Sequence, residues 1–432
     1  MLKKIKNILI KTDNFLYKKF GSDKSTKILE NIKEAQIIFS KLNETGKEHR
    51  VRFVGGCIRK AICNEEIDDI DLATSLEPQE VKKILNREGI KVIDSGISHG
   101  TVSAILNKKK FEITTLRKDI STDGRHANVE FTLQWKEDAL RRDFTINAIY
   151  SDIEGRILNP VNGISDLKEG IVKFIGLPEE RIQEDYLRIL RYFRFFAQYS
   201  KIEHDNKTIK SIKKNINGLN QISNERIFDE MQKILKLKNL YSLFSKNISN
   251  EIILSIFPQF KYFERLKPIK KLLPKIKEKY DVNLILSLLI IDESNNYEYF
   301  CHKYKTSNDL KEKFQNISTN FQNLKEKSFY TKKNIKRLIY LTNKNYVTDL
   351  LLFSICANAK KNFSNIGELI DFIDICEVPK FPVSGNHLKK YGFIAGKKLG
   401  KELKLLEENW INNDFNINKE ELKKYLGSDS KN

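Results

Sequence analysis

Asp69 and Asp71 stand one residue apart in VRFVGGCIRKAICNEEIDDIDLATS, residues 51–75. On a strand, residues i and i+2 share a face, so both carboxylates point one way while Ile70 points into the core. Carboxylates held side by side repel unless a cation sits between them, and such a pair suits a hard divalent metal. Upstream, Gly55 and Gly56 follow a short run of mostly strand-forming residues and allow a tight turn and a close backbone approach to a ligand. Arg59 lies three residues past that turn. The combination points to metal-assisted chemistry on a nucleoside triphosphate; taken alone, the stretch fits a solvated strand end equally well.

Three further stretches carry candidate groups. Glu112, in FEITTLR, shares a strand face with Thr114 opposite Phe111 and Ile113, and would complete a carboxylate cluster with Asp69 and Asp71, or else lie in solvent at a sheet edge. In RRDFTINAIY (residues 141–150), Arg142, Asp143 and Asn147 are polar, while Phe144, Ile146, Ala148 and Ile149 can pack beneath them. A helix is expected over residues 184–200, EDYLRILRYFRFFAQYS, with Asp185, Arg188, Arg191 and Arg194 at intervals of three. At about 100° per residue this row curls gradually around the helix, and Leu187, Ile189, Leu190, Phe193 and Phe196 form its buried side. The row reads as a binding face or as a solvated charged stripe.

The elements that must position these groups follow from periodicity. Residues 26–48 read as a helix, with Ile28, Ile32, Ala35, Ile38, Phe39 and Leu42 at helical spacing. Residues 77–88 read as another, with Pro78 in the first turn and acidic residues before basic ones along the dipole. Strand-like runs cover residues 91–93, 101–106 and 111–116, the last two joined by a hairpin-like turn. Residues 118–137 read as a mobile loop followed by a short strand. A glycine-punctuated connector spans residues 152–176. Beyond about residue 240, helical runs alternate with lysine-rich segments. Near the end, Gly385, Gly392, Gly396 and Gly400 stand among lysines, and fit either phosphate-holding helix starts or ordinary connecting turns.

The chain has 432 residues, room for two to four domains. Its 77 lysines and arginines outnumber 57 acidic residues, giving a net charge of +20, which favours a polyanionic partner, RNA or DNA before membrane. A lysine-rich genome bias is the blander source of that excess. Five scattered cysteines form no CxxC pair, which argues against a disulfide frame or a zinc site and fits a reducing cytosol. No stretch is apolar enough to span a membrane, and the basic N-terminus reads as an amphipathic helix, not a signal peptide. The His204–Asp205 pair raises a phosphohydrolase reading, but the other five histidines are widely scattered.

In this order the motifs resemble those of class II tRNA nucleotidyltransferases (CCA-adding enzymes), a family that shares its head with bacterial poly(A) polymerases. GGCIR…DIDLATS is similar to the family's first motif, RRDFTINAI to the second, DIEGRILNPVNGISDLKEGIVKFIG to the third, EDYLRILRYFRF to the fourth and ISNERIFDEMQKIL to the fifth. The strong match covers roughly residues 50–235. Two positions depart from the pattern. Lys60 replaces a usual aspartate, and Ile62–Cys63–Asn64 replaces a leucine–glycine turn, changes expected to affect local helix stability more than chemistry.

The resemblance implies an α+β protein: a nucleotidyltransferase head with a small mixed sheet, then an all-helical neck, body and tail. The expected divisions are an N-terminal basic helix (1–25), head (26–151), neck (152–240), and body and tail (241–432). It implies template-independent transfer of CMP and AMP from CTP and ATP to the 3′ end of tRNA in the cytoplasm, with no DNA, membrane or protein partner. Asp69 and Asp71 would hold two Mg²⁺ ions with Glu112 as third carboxylate. Gly55, Gly56 and Arg59 would cradle the triphosphate, Arg142 and Asp143 would position phosphates and sugar, and Asp185 and Arg188 would match the base edge, with Arg191 and Arg194 extending that face. Poly(A) synthesis, or addition of only CC or only A, stands as the alternative, and a non-catalytic RNA-binding protein is a further one.

Overall fold

The computed structural model describes residues 27–44, 50–122, 127–238, 240–358, 366–390 and 392–417. The expected N-terminal helix over residues 1–25 lies outside them. The chain divides into two compact units, Met1–Ile252 and Ile253–Asn432.

The first unit is built on a seven-stranded mixed sheet. Its strands are β1 (Val51–Val54), β2 (Ile70–Thr74), β3 (Lys91–Gly96), β4 (Thr101–Leu106), β5 (Lys109–Thr115), β8 (Tyr150–Ser151) and β9 (Ile157–Leu158), in the order β3-β4-β5-β2-β1-β8-β9. Only β2 and β5 run parallel, and their register sets Asp71 beside Glu112. Helix α1 (Lys27–Glu30) and helix α2 (Lys33–Asn43) precede β1, α3 (Gly56–Ile62) follows the glycine turn, and α4 (Pro78–Arg87) joins β2 to β3. The start of α4 is fixed by Pro78 and by a reciprocal capping box between Glu77 and Glu80. The buried apolar residues of β1, α2 and α4 meet beneath the sheet, with Phe39 and Phe53 rings 4.7 Å apart.

Four sequence expectations change here. The described part of the helix expected over residues 26–48 is two helices, because Ile32 takes an extended conformation between them. The segment 118–137 is largely a hairpin: β6 (Arg117–Thr122) pairs antiparallel with β7 (Ala127–Phe131), and α5 (Trp135–Leu140) follows. Pairing satisfies the backbone, and Lys118 and Glu130 face each other across it at 3.1 Å, which a count of apolar anchors does not register. Ile70 is only half-buried, and Asp69 sits just before β2. The helix over residues 184–200 is also broken. Helix α7 (Pro178–Glu184) stops at Asp185, which is extended at φ −156°, and α8 (Arg188–Tyr199) begins three residues on. The Asp185 carboxylate accepts the Leu187 amide at 3.2 Å, the local side-chain bond by which aspartate competes with helix.

The connector contains α6 (Gly163–Glu169). A Cβ on Gly163 would fall 2.1 Å from the Thr145 carbonyl oxygen, so only glycine lets α6 seat on the RRDFTINA turn. Phe144 of that turn packs on Phe174 (4.6 Å) and on Phe195 of α8 (5.4 Å), giving sheet and helices one aromatic core. Leu187, Ile189, Leu190, Phe193 and Phe196 are all buried, as their spacing requires. Helix α9 (Asn206–Asn215) packs on α7, and helix α10 (Asn224–Leu235) packs on α8.

The second unit is helical among its described residues, and its helices include Val282–Ile290, Lys332–Leu341 and Lys344–Ala357, in keeping with the helical runs expected beyond residue 240. Gly385 opens the short helix Gly385–Lys390, Gly392 and Gly396 lie between that helix and Lys397–Asn412, and Gly400 is inside the latter. No helix among the described residues is long and apolar enough to cross a membrane. All five cysteines are free; Cys57, Cys301, Cys356 and Cys376 are buried and Cys63 is partly exposed.

Candidate active site

Gly55 joins β1 to α3 at φ +72°, a conformation that L side chains rarely adopt, and its ideal Cβ would lie 3.8 Å from both Arg142 Nη1 and the Asn147 carbonyl. The helix it launches begins at Gly56 and turns Arg59 inward. Arg59 is 6% exposed. It donates through Nη1 to Asn147 Oδ1 and lies over the rings of Phe195 (4.6 Å) and Tyr199 (5.2 Å). Its Nε is buried with no hydrogen-bond partner among the described residues.

Asp69 is exposed, Asp71 is half-buried on β2, and Glu112 is exposed on β5 beside Asp71. Burial and Glu112 push the Asp71 carboxyl up to about 6, Asp69 adds to this, and Arg142 and Arg59 oppose it. Glu112 itself pairs with Lys110 at 2.7 Å. No three metal-ligating side chains are already assembled among the described residues, so Glu112 is adjacent to the pair without closing a ready-made cluster. At the departures from the family pattern, Lys60 ion-pairs with Asp68, next to Asp69, and Asn64 takes φ +54°, the left-handed conformation that asparagine tolerates.

The remaining predicted residues belong to buried and partly buried ion pairs. Arg142 donates to Asp138 Oδ2 (3.0 and 3.1 Å) and to the Tyr150 hydroxyl (3.1 Å), while Arg141 takes Asp138 Oδ1. Burial opposes ionisation of Asp138, but Arg142, Arg141 and the Tyr150 hydroxyl outweigh it and hold the carboxyl well below the usual range. Asp143 accepts from the Phe144 amide (2.9 Å), Asn147 Nδ2 (2.8 Å) and twice from Arg191 (2.8 and 2.6 Å). Those contacts saturate both carboxylate oxygens. Here too Arg191 and Asn147 overcome burial and keep the carboxyl low. Arg59, Asn147, Asp143 and Arg191 thus form one continuous chain of contacts from the glycine turn to α8.

Asp185 and Arg188 do not pair with each other. Asp185 Oδ2 accepts from Arg226 at 2.8 Å, and Arg188 donates through Nη1 to the Arg181 carbonyl (2.9 Å) and to Glu184. Arg194 pairs with the buried Glu230 and lies over Phe195 at 4.2 Å. His204 is bonded to the Tyr192 hydroxyl (3.0 Å) and to Ser249 (2.7 Å) and stacks on Phe196. Burial and then Lys246 depress its pKa to about 4, a packed structural histidine and not a hydrolytic one.

Sequence reasoning missed Asp138, Tyr150, Arg226 and Glu230 and gave Asn147 no task. Two signals were available. Asp138 precedes Arg141 and Arg142 at helical i,i+3 and i,i+4 spacing, and Glu230 interrupts the apolar stripe of Ile227, Met231 and Ile234.

Residues 51–173 match the family model described as the poly A polymerase head domain, and residues 202–264 match a probable RNA and SrmB-binding site of polymerase A. The chain is 34% identical over 415 residues to the mouse mitochondrial CCA tRNA nucleotidyltransferase 1, covering 92% of this chain and 90% of that protein. It is 31% identical over 400 residues to the CCA-adding enzyme of Streptococcus uberis, covering 89% and 94%. The crystal structure of the Bacillus stearothermophilus CCA-adding enzyme in complex with CTP shares the fold, with a TM-score of 0.69 at 23% identity over 91% of this chain and 96% of the other. The Thermotoga maritima CCA-adding enzyme complexed with tRNA aligns with a TM-score of 0.64 at 19% identity, covering 96% and 98%. With identity above 30% sustained along almost the whole of both chains, this protein belongs to the CCA tRNA nucleotidyltransferase (CCA-adding enzyme) family.

Proposed function

We infer that the chain carries out its family's reaction: template-independent addition of CMP and AMP to the 3′ end of tRNA from CTP and ATP, with release of pyrophosphate. The observation that carries this reading is the pairing of Asp71 with Glu112 across parallel strands, within reach of the field of Arg142 and Arg59 at the glycine turn. The crowded carboxylates, of which Asp71 is partly desolvated, fit a divalent cation, since the rise in the Asp71 pKa is the cost of ionising without one. Asp69 and Asp71, with Glu112 beside them, would hold Mg²⁺, which supplies Lewis-acid activation of the attacking 3′-hydroxyl and neutralisation of the leaving pyrophosphate.

The protein's own residues do the rest. The bare backbone at Gly55 admits the triphosphate, and the unpartnered Arg59 Nε is a donor that a phosphate oxygen would satisfy. Arg142, held by Asp138 and Tyr150, presents a fixed positive charge. Asp143 orients Asn147 and Arg191. Asp185 is acceptor-only and Arg188 donor-only. Arg188 spends only Nη1 on its described contacts, and Asp185 Oδ1 takes only the Leu187 amide, so both keep capacity for a base edge. Cytosine and adenine offer the matching amino donor and ring acceptor, and uracil and guanine reverse the pattern. The positive helical remainder suits the tRNA backbone.

The test is incubation with a tRNA transcript lacking its CCA end, with CTP, ATP or both, followed by product sequencing. CCA ends are expected; long A tails overturn the assignment.

A further inference from the structure

The loop between α3 and β2 leads directly into Asp69 and Asp71, and it is tied at one point to the far end of α8. Glu65 Oε2 accepts from the Tyr199 hydroxyl and from Gln198 Nε2, both at 3.0 Å and more than 130 residues away in sequence. The loop is short and held from its other side as well: the Glu65 amide donates to the Lys60 carbonyl at 2.8 Å, and Lys60 pairs with Asp68. Residues 60–68 therefore have little freedom to move unless Glu65 moves. The end of α8 is anchored in turn. The Lys201 amide donates to the Gly170 carbonyl and Lys201 Nζ to the Lys168 carbonyl, both at 3.0 Å, and a Cβ on Gly170 would run into Lys201 at 2.6 Å. The same Tyr199 ring also covers Arg59. The middle of α8 meets the sheet-bearing region separately, through Arg191 and Asp143.

A helix held at two places along its length fixes an orientation, where one contact fixes only a position. We propose that Glu65 and Tyr199 are positioning residues for nucleotide transfer, registering the carboxylate strand β2 against α8 so that the groups on the strand and the groups on the helix address the same substrate. Neither touches the reacting atoms. The proposal rests on the reading of Asp69 and Asp71 as the catalytic carboxylates. Loss of this contact lets β2 shift relative to the arginines of α8, and displacements on the scale of 1 Å at a reacting centre lower turnover by roughly ten- to a hundredfold.

The experiment measures kcat and KM for CTP and ATP on a tRNA transcript lacking its CCA end, using the full chain with Glu65→Ala, Glu65→Gln, Tyr199→Phe and the Glu65→Ala/Tyr199→Phe pair. Tyr199→Phe removes only the hydroxyl and keeps the ring over Arg59, so it reports on the contact where Glu65→Ala folds poorly. The expected result is a kcat lowered about tenfold or more in Tyr199→Phe and Glu65→Ala with KM changed less than about threefold. Glu65→Gln, which keeps an acceptor oxygen, recovers most of the loss, and the double variant is no worse than either single one. Unchanged kcat in Tyr199→Phe, or a loss of equal size in Glu65→Gln and Glu65→Ala, overturns the proposal. Asp71→Ala run alongside separates the two readings: if it retains incorporation, the carboxylate assignment falls and this proposal with it; if it is inactive while the Tyr199 variant is not, only the positioning role falls.

Discussion

The carboxylate edge of β2 and β5 and the ion-pair network along α8 are both made of acidic and basic side chains, yet they solve opposite electrostatic problems. On the strands, Asp71 lies among like charges and is pushed up to about 6 by burial and Glu112, and Asp69 is exposed. Along the helix, every predicted charge has found a partner: Arg191 with Asp143, Arg194 with Glu230, Arg188 with Glu184, Asp185 with Arg226. The first region is destabilised as it stands and poised for something external; the second is charge-paired and holds shape, with hydrogen-bonding capacity left at Asp185 and Arg188. Substitutions should therefore have opposite effects on stability in the two places.

The largest effect expected is on chemistry. Asp71→Ala should abolish label incorporation while tRNA binding, measured by filter retention or gel shift, is largely kept; survival of incorporation would remove the carboxylates from the reaction. Next comes stability at the network. Asp143→Ala leaves the partly exposed Arg191 and the Asn147 amide without their shared acceptor, which costs about 1–3 kcal/mol, read by denaturant unfolding of the full chain. A loss below about 1 kcal/mol would show the network to be far weaker than its geometry. Third is base choice: Asp185→Ala with Arg188→Ala should reduce discrimination of C and A against U and G by about tenfold or more. Unchanged selectivity would move recognition elsewhere.

The smallest effect carries the opposite sign. Because the folded pKa of Asp71 lies above its ordinary 3.8, the native state binds more protons than the unfolded chain between about pH 4 and 6. Stability of the metal-free protein therefore falls as pH rises through that window, and ionised Asp71 stays unfavourable above it. Asp71→Asn should flatten that decline and raise the melting temperature of the metal-free protein at pH 7 by a few degrees, while removing activity. A lower melting temperature in Asp71→Asn would erase the contrast between the two regions.

The contrast also explains what could be read from residues alone. The strand pattern was legible in part because side chains alternate with period two: the Phe111–Thr114 alternation sets Glu112 on the solvent face and the parallel register puts Asp71 beside it, whereas Asp69 falls just before β2. The apolar side of α8 was legible for the same reason at helical period. The partners of its charges were not. Arg194 meets Glu230 and Asp185 meets Arg226 from another helix, and local spacing holds no record of which distant residue will face them. The break at Asp185 was missed because a single side chain-to-amide bond decides it against a strong helical pattern. The β6–β7 hairpin was missed because its strands are polar, and pairing, not burial, holds them.

The uneven exposure of the five thiols makes the molecule its own reporter. Cys57, directly beneath the carboxylate strand, donates to the Val54 carbonyl, and burial followed by the Asp71 charge pushes its thiol up to about 11, so it resists alkylation. Cys63 is the partly exposed thiol, two residues before Glu65, and burial and Glu65 raise its pKa as well, so it should react slowly at neutral pH but ahead of the other four. A maleimide fluorophore on the unaltered sequence would thus attach beside the α3–β2 loop, and its emission would follow that loop through each nucleotide addition.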